Sequence, residues 1–169
     1  MKHHIHLIIF LLASSIGCQT RIPVFNGNSA FTHLVAQCDF GPRNPGSVGH
    51  QKALDYFLNV LAPLADTVST QSFTEIMPRS KQKVEMHNVI AQFNPKAKKQ
   101  IMISAHWDTR PWGDRSLSIM RKDQPILGAN DGASGVAILL ELAKVLHDNP
   151  QKIGVNLVLF DAEDFGSSG

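Results

Sequence analysis

The sequence has few of the residues that cross-link a small fold or mark a strongly charged surface. It contains two cysteines, one tyrosine and two tryptophans, and charged residues make up 18% of its 169 positions. So few cysteines exclude a disulfide-dense scaffold. The net charge is only +2, and acidic and basic residues are intermixed without a long basic run. We therefore expect no nucleic-acid partner, because nucleic acids are bound through clustered lysine and arginine.

What the sequence does contain is typical of one globular domain. Apolar residues make up 43% of the chain, which is an ordinary share for a globular protein. A chain of this length has room for about one domain. There are no internal repeats and no low-complexity tracts.

The first 17 residues have the pattern of a signal peptide. A lysine and three histidines precede an apolar run over residues 7–13, which is too short for a membrane-spanning helix. Cys18 directly follows Gly17, as at a bacterial lipoprotein processing site, although Ser15 stands where the usual motif has an aliphatic residue. Two outcomes stay open: a lipid anchor on Cys18, or soluble export after cleavage near Gly17. Both place the mature protein outside the cytoplasm, in the bacterial periplasm, on a membrane as a lipoprotein, or secreted.

Residues 18–29 contain proline, glycine and asparagine and are interpreted as a tether. If Cys18 carries lipid, Cys38 is the remaining thiol and no intrachain disulfide can form. We expect Cys38 to be a buried small hydrophobic residue rather than a nucleophile.

Apolar periodicity predicts alternating helices and strands. Residues 49–62 have apolar side chains every three or four positions, which predicts a helix. Residues 101–105 and 155–160 are nearly all apolar, as expected for buried central strands. The other predicted elements are helices over 30–38 and 133–147, strands over 66–76 and 84–93, and a long loop over 109–128. This order predicts an α/β fold in which a mixed β-sheet is flanked by helices and contains a strand–helix–strand crossover.

Acidic residues and a histidine follow the two buried strands. His106 and Asp108 come after the first strand, and Glu163 and Asp164 come after the second. Asp131 stands just before the helix that joins these strands. In open α/β sheets ligands sit beyond the carboxyl ends of the strands, and carboxylates and imidazoles are ligands of zinc. The pattern therefore predicts a metal-dependent hydrolase or transferase.

Each of these positions also has a purely structural interpretation. Asp131 is a favoured helix N-cap, the acidic turn over residues 161–164 could face solvent, and a lone strand-end histidine such as His106 is often structural. Small residues around Asp131, over 128–135, favour the site, because they let the backbone and an ion come close. Adjacent carboxylates can divide their roles, one binding the metal and the other moving protons.

These segments together resemble the glutaminyl cyclases (glutaminyl-peptide cyclotransferases) and the zinc aminopeptidases that share their fold. The metal-site blocks are common to that superfamily. The upstream Gly-Pro-Arg and Asn-Val-Ile-Ala blocks and the Asp-Thr-Arg-Pro-Trp extension favour the cyclases. The matching stretches are residues 40–43 with 45–47, 71–73, 88–91 with 94–95, 105–112, 128–135 and 160–166.

The resemblance implies a zinc aminopeptidase-like fold with a single catalytic zinc. By motif match, Asp131 and Asp164 would be zinc ligands and Glu163 the proton shuttle. Relatives often have glutamate where Asp164 stands, and the shorter side chain requires a closer strand end or a different ligand geometry. In the aminopeptidases the position of His106 binds a second zinc, so His106 would be a ligand only in a two-metal enzyme.

For the complete protein, the resemblance implies cyclisation of N-terminal glutamine in peptides or proteins to pyroglutamate, with release of ammonia. The alternatives are a zinc aminopeptidase and a catalytically dead exported lipoprotein. The family's third zinc ligand is a histidine far downstream, whereas no histidine follows Asp164 in this sequence. We therefore expect residues 30–169 to be the N-terminal part of a single catalytic domain, truncated after the second metal-ligand block and inactive by itself.

Overall fold

The computed structural model describes residues 22–77, 81–113 and 123–164. The expected signal peptide, Cys18 and the middle of the long loop lie outside the described residues, as does part of the turn before the second strand. The described residues form three α-helices and four β-strands. These are α1 (Gly27–Asp39), α2 (Val48–Leu61), β1 (Thr67–Ile76), β2 (Lys83–Phe93), β3 (Gln100–His106), α3 (Ser134–Asp148) and β4 (Gly154–Phe160). Every predicted helix and strand is confirmed, with small shifts at the ends.

The four strands form one mixed sheet in the order β1-β2-β4-β3. β2 pairs antiparallel with both β1 and β4, whereas β3 and β4 are parallel. Helix α3 connects these two parallel strands, so the predicted crossover and the mixed α/β architecture are confirmed. None of the described helices is both long and apolar enough to cross a bilayer.

The core lies between one face of the sheet and helices α2 and α3. Alternate residues of β2 and β4 share that face, because Val89 pairs with Leu159, Ala91 with Leu157 and Phe93 with Val155. All six are buried and belong to one apolar cluster. The helices contribute Ala53, Leu54, Phe57 and Leu61 from α2, and Val136, Leu139, Leu140, Ala143 and Leu146 from α3.

The expectation of two buried central strands is right for β4 and wrong for β3. β4 lies between two strands and is largely buried. β3 is at the end of the strand order, and its first five residues are exposed or only partly covered, with Met102 62% exposed. An apolar run reports that a strand is suited to burial, but it does not identify what covers the strand. Among the described residues, nothing pairs with the outer side of β3.

Helix α2 begins with a side-chain cap from Ser47. The Ser47 hydroxyl accepts a hydrogen bond from the His50 backbone N–H at 3.1 Å and donates one to the Pro42 carbonyl at 3.0 Å. This side chain therefore satisfies one of the unpaired N–H groups of the first turn.

Replacing Ser47 with alanine should lower the free energy of unfolding by about 1 kcal/mol, because the N-cap hydrogen bond is lost. Urea denaturation monitored by circular dichroism measures the change. Ser69→Ala, on the exposed side of β1, is the matched control and should change stability by less than about 0.5 kcal/mol. Equal losses in both variants would show that Ser47 does not act as a cap.

Candidate metal centre

The carboxyl ends of β3 and β4 bring His106 together with two of the predicted site residues. The His106 Nε2 atom lies 3.2 Å from Oδ1 of Asp131. Its Nδ1 atom lies 3.9 Å from Oε2 of Glu163. The parallel pairing of β3 and β4 brings these side chains together. His106 is opposite Phe160 in the register, and the Trp107 N–H donates a hydrogen bond to the Phe160 carbonyl at 2.9 Å. Of the predicted strand-end residues, His106 and Glu163 therefore lie close together, with Asp131 from the turn before α3 beside them.

Asp131 sits in an irregular turn before α3 and does not cap the helix. Its backbone angles, φ −90° and ψ 97°, are outside the helical region, and α3 begins after Ala133, whose methyl group cannot act as a cap. Its side chain is 62% exposed. Gly132 follows with φ +93°, and a Cβ there would lie 3.2 Å from Cε1 of His106. A small residue at this position allows the turn to approach the imidazole.

Asp108 fixes the backbone of the turn that carries Glu163 and Asp164. Its side chain is fully buried, and its two oxygens accept hydrogen bonds from the backbone N–H groups of Glu163 at 3.1 Å and Asp164 at 3.0 Å. Oδ1 also lies 3.6 Å from Nδ1 of His106, which is an ion-pair distance rather than a hydrogen bond. Asp108 thus faces the same site as His106, as residues two apart should.

The surrounding carboxylates hold His106 in its cationic form. The pKa of His106 is raised to about 9, and the largest cause is its interaction with Asp108. The charges of Glu163 and Asp131 also raise this pKa, whereas burial of the imidazole lowers it. The imidazole is therefore protonated at neutral pH in the metal-free chain. Binding a metal through His106 would require this proton to leave, because imidazole binds metals in its neutral form.

Asp164 is buried, while its neighbour Glu163 is not. The Oδ1 atom of Asp164 accepts hydrogen bonds from the guanidinium of Arg110, with Nε at 2.8 Å and Nη2 also in contact. The other oxygen, Oδ2, is buried and has no hydrogen-bond donor among the described residues. The Glu163 side chain is 66% exposed. The idea of a solvent-facing acidic turn is thus right for Glu163 and wrong for Asp164.

The third carboxylate of the turn, Asp161, points away from the site. Its Oδ2 atom lies 2.8 Å from Nε2 of His50 and accepts the backbone N–H of His87 at 2.7 Å. The His50 ring stacks on Trp107, with ring centroids 4.4 Å apart. His50 was not identified from the sequence as a partner of Asp161, although its spacing from Ala53 and Phe57 places it on the buried stripe of α2. A histidine inside an apolar stripe was the available signal.

The structure also places the two tryptophans and Cys38. Trp107 is completely buried against Phe57 and His50, so it is a core residue rather than a pocket wall. Cys38 is only half-buried, so the expectation of a buried thiol is too strong. Trp112 lies at the partly covered start of the long loop, most of which is not described.

The donor set fits a zinc ion in part. The donor-free Oδ2 of Asp164 is the kind of buried acceptor that a cation satisfies, and Asp131 presents an exposed carboxylate beside Nε2 of His106. Within residues 22–77, 81–113 and 123–164, however, no group of three histidine, cysteine or acidic side chains is placed to hold a metal. A closed site therefore requires at least one ligand from elsewhere.

Comparisons with known proteins identify relatives of this sequence and of this fold. Residues 88–169 match peptidase family M28. Glutaminyl-peptide cyclotransferase of Drosophila melanogaster is 31% identical over 128 residues, which are 73% of this chain and 33% of that protein. The structure of Bacteroides thetaiotaomicron glutaminyl cyclase bound to N-acetylhistamine superimposes with a TM-score of 0.82 at 36% identity, covering 87% of this chain and 50% of the other.

A Zn-dependent exopeptidase from Parabacteroides distasonis is equally similar in fold. Its TM-score is 0.82 at 35% identity, and the match covers 87% of this chain and 50% of that one. The chain thus spans about a third of the fly relative and half of each bacterial structure.

Proposed function

We propose that the complete protein cyclises N-terminal glutamine of peptides or proteins to pyroglutamate. The chain carries a peptidase family M28 domain, and it is homologous to the N-terminal part of the glutaminyl cyclases. The observation that carries this proposal is the exposed carboxylate of Glu163. It stands at a strand end beside His106 and Asp131, on a backbone that the buried Asp108 fixes. An exposed, positioned carboxylate next to a polar cluster is suited to proton transfer.

The reaction needs proton transfer more than it needs an enzyme nucleophile. The substrate's α-amine attacks its own side-chain amide carbon, a C–N bond forms, and the bond to the amide nitrogen breaks to release ammonia. Glu163 accepts the proton that the amine loses and returns it to the leaving nitrogen, so the carboxylate is unchanged at the end. Ring closure is intramolecular, so orientation supplies much of the acceleration.

Zinc is part of the proposal as the resident metal. Asp131 and Asp164 would hold it together with a ligand from outside the described residues, and a bound zinc ion supplies Lewis acidity toward a carbonyl oxygen. Asp164 uses only one of its oxygens in the contact with Arg110, which leaves Oδ2 for a cation. His106 is not required as a ligand in this single-metal arrangement.

Location outside the cytoplasm completes the proposal. The apolar run over residues 7–13, and the small residues before Cys18, support export of the mature protein, with or without a lipid anchor on Cys18. N-terminal glutamine peptides would then meet the enzyme in the cell envelope or outside the cell.

A zinc aminopeptidase is the second candidate. It is supported by the 3.2 Å approach of His106 to Asp131, which is where a histidine and a bridging carboxylate would share a second metal, and by the similarity to the exopeptidase of Parabacteroides distasonis. Such an enzyme would activate water between two ions instead of excluding it.

One experiment separates these candidates. The complete protein, loaded with zinc, is incubated with a glutaminyl peptide and with a leucyl peptide, and the products are followed by mass spectrometry while bound zinc is counted. We expect one zinc per chain, loss of ammonia from the glutaminyl peptide and an intact leucyl peptide. If the protein binds two zinc ions and releases free amino acids, it is an aminopeptidase and the cyclase proposal is wrong. If the protein binds no zinc and forms neither product, the remaining interpretation is a non-catalytic exported protein.

A further inference from the structure

Arg43 is a completely buried cation that the proposed reaction does not use. It lies in the Gly-Pro-Arg block of the loop between α1 and α2, with 0% of its surface exposed. A buried guanidinium needs several hydrogen-bond acceptors to offset its loss of water. Within the described part of the chain, its side chain donates only to backbone carbonyls: Trp107 at 3.0 Å from Nε, Leu127 at 3.0 Å and Gln37 at 3.4 Å from Nη1, and Gly128 at 2.9 Å from Nη2.

Three of these carbonyls belong to the two segments that carry the candidate site, and the fourth, that of Gln37, belongs to α1. Trp107 stands between His106 and Asp108 at the end of β3. Gly128 stands three residues before Asp131, and its carbonyl also accepts the N–H of Ala133 at 3.2 Å. The guanidinium therefore connects the strand end to the turn before α3.

The backbone of Arg43 reinforces the same connection. Its N–H donates to the Thr109 hydroxyl at 2.9 Å, and its carbonyl accepts the N–H of Thr109 at 3.4 Å. Thr109 is itself fully buried and follows Asp108 directly. Arg43 is thus fixed to the strand-end segment through its main chain as well as its side chain.

We propose that Arg43 is a positioning residue that sets the separation between the His106–Asp108 segment and Asp131, and so the geometry in which zinc and substrate are bound. This inference rests on the proposed function. Arg43 touches neither reacting atoms nor the carboxylates of Asp131 and Glu163; it acts through backbone carbonyls on both sides.

Arginine is required for this role because of its shape. The guanidinium presents its three nitrogens in a rigid planar fork, so it can bind carbonyls of two segments at once. Lysine keeps the positive charge but presents its donors from a single nitrogen on a flexible chain, so it cannot reproduce the fixed planar set of contacts that the three guanidinium nitrogens make. Arg43→Lys therefore tests whether the planar set of hydrogen bonds between the two segments is needed in addition to the positive charge.

Three measurements on the complete protein test the proposal. Zinc affinity is measured by chelator competition, kcat and KM are measured on a glutaminyl peptide, and amide hydrogen exchange is measured on metal-free protein. For Arg43→Lys we expect zinc affinity and kcat to fall about 10–100-fold, as for other residues that orient metal ligands indirectly, with KM nearly unchanged. Exchange of the Ala133 amide should accelerate about tenfold or more, while β1 amides keep their protection. Lys52→Met, on the exposed face of α2, should change none of these.

Thr109→Val provides the milder second variant in case Arg43→Lys does not fold. It removes the hydroxyl that binds the Arg43 backbone and keeps the side-chain shape, so it should produce a smaller loss of zinc affinity and a smaller rise in Ala133 exchange. A folded Arg43→Lys protein, or failing that a Thr109→Val protein, with native zinc affinity and native Ala133 exchange would overturn the proposal. Failure of the cyclase assignment is distinguishable, because the hydrogen-exchange arm needs neither substrate nor metal.

Discussion

Replacing Glu163 with glutamine should lower kcat of the complete protein by about 10²–10⁴-fold, which is the usual contribution of a positioned general base. Glutamine has nearly the same shape but cannot accept a proton from the substrate amine. Because Glu163 is held through its backbone N–H by Asp108, the substitution should leave the turn in place. Bound zinc and the melting temperature should therefore be unchanged, as measured by metal analysis and thermal denaturation beside steady-state kinetics.

The control for this variant is Glu75→Gln, which neutralises an exposed carboxylate on β1 and should retain full turnover. Native turnover in Glu163→Gln would remove Glu163 from the proton-transfer role. If the variant instead loses zinc along with activity, Glu163 is a ligand, and the division of labour between Glu163 and Asp164 is reversed.

Replacing Asp161 with alanine should cost the complete protein about 2–4 kcal/mol of unfolding free energy, since a buried donor loses its acceptor at about 1–3 kcal/mol and a partly buried donor at about 1 kcal/mol. These donors are Nε2 of His50 and the backbone N–H of His87. The loss should extend to function, because Asp161 begins the turn that presents Glu163. Ala162 in that turn has φ +64°, an unfavourable backbone conformation that its neighbours must hold in place. Urea denaturation gives the stability change, and kcat measured well below the transition gives the functional one.

The matched control is Asp148→Ala, an exposed partner of Lys144 at the end of α3, where a loss of no more than about 0.5 kcal/mol is expected. A double-mutant cycle with His50→Phe isolates the buried pair. Independent, additive losses from Asp161→Ala and His50→Phe would mean that the 2.8 Å contact contributes no coupling energy.

The secondary structure could be predicted because each element follows its own local pattern. The apolar stripe of α2 and the alternation in β1 are properties of neighbouring residues, and both elements appear nearly where expected. The gathering of His106, Asp131 and Glu163 was also predictable, because strands joined by a crossover bring their carboxyl ends to one edge of the sheet.

The supporting contacts were not predictable, since they join residues far apart in sequence. Arg43 lies 64 residues from the Trp107 carbonyl that it binds, and His50 lies 111 residues from Asp161. No periodicity reports such pairs. The exposure of β3 was missed for a related reason: apolar character is a property of a segment, whereas position within a sheet depends on which strands pair with it.

The outer side of β3 carries a consequence for how this chain can be handled. Ile101, Met102 and Ile103 lie exposed on a strand whose outer N–H and C=O groups find no partner among the described residues. Such a border is a template for intermolecular strand addition, because another copy can supply both the hydrogen bonds and the apolar cover. Preparations limited to these residues should therefore self-associate as their concentration rises.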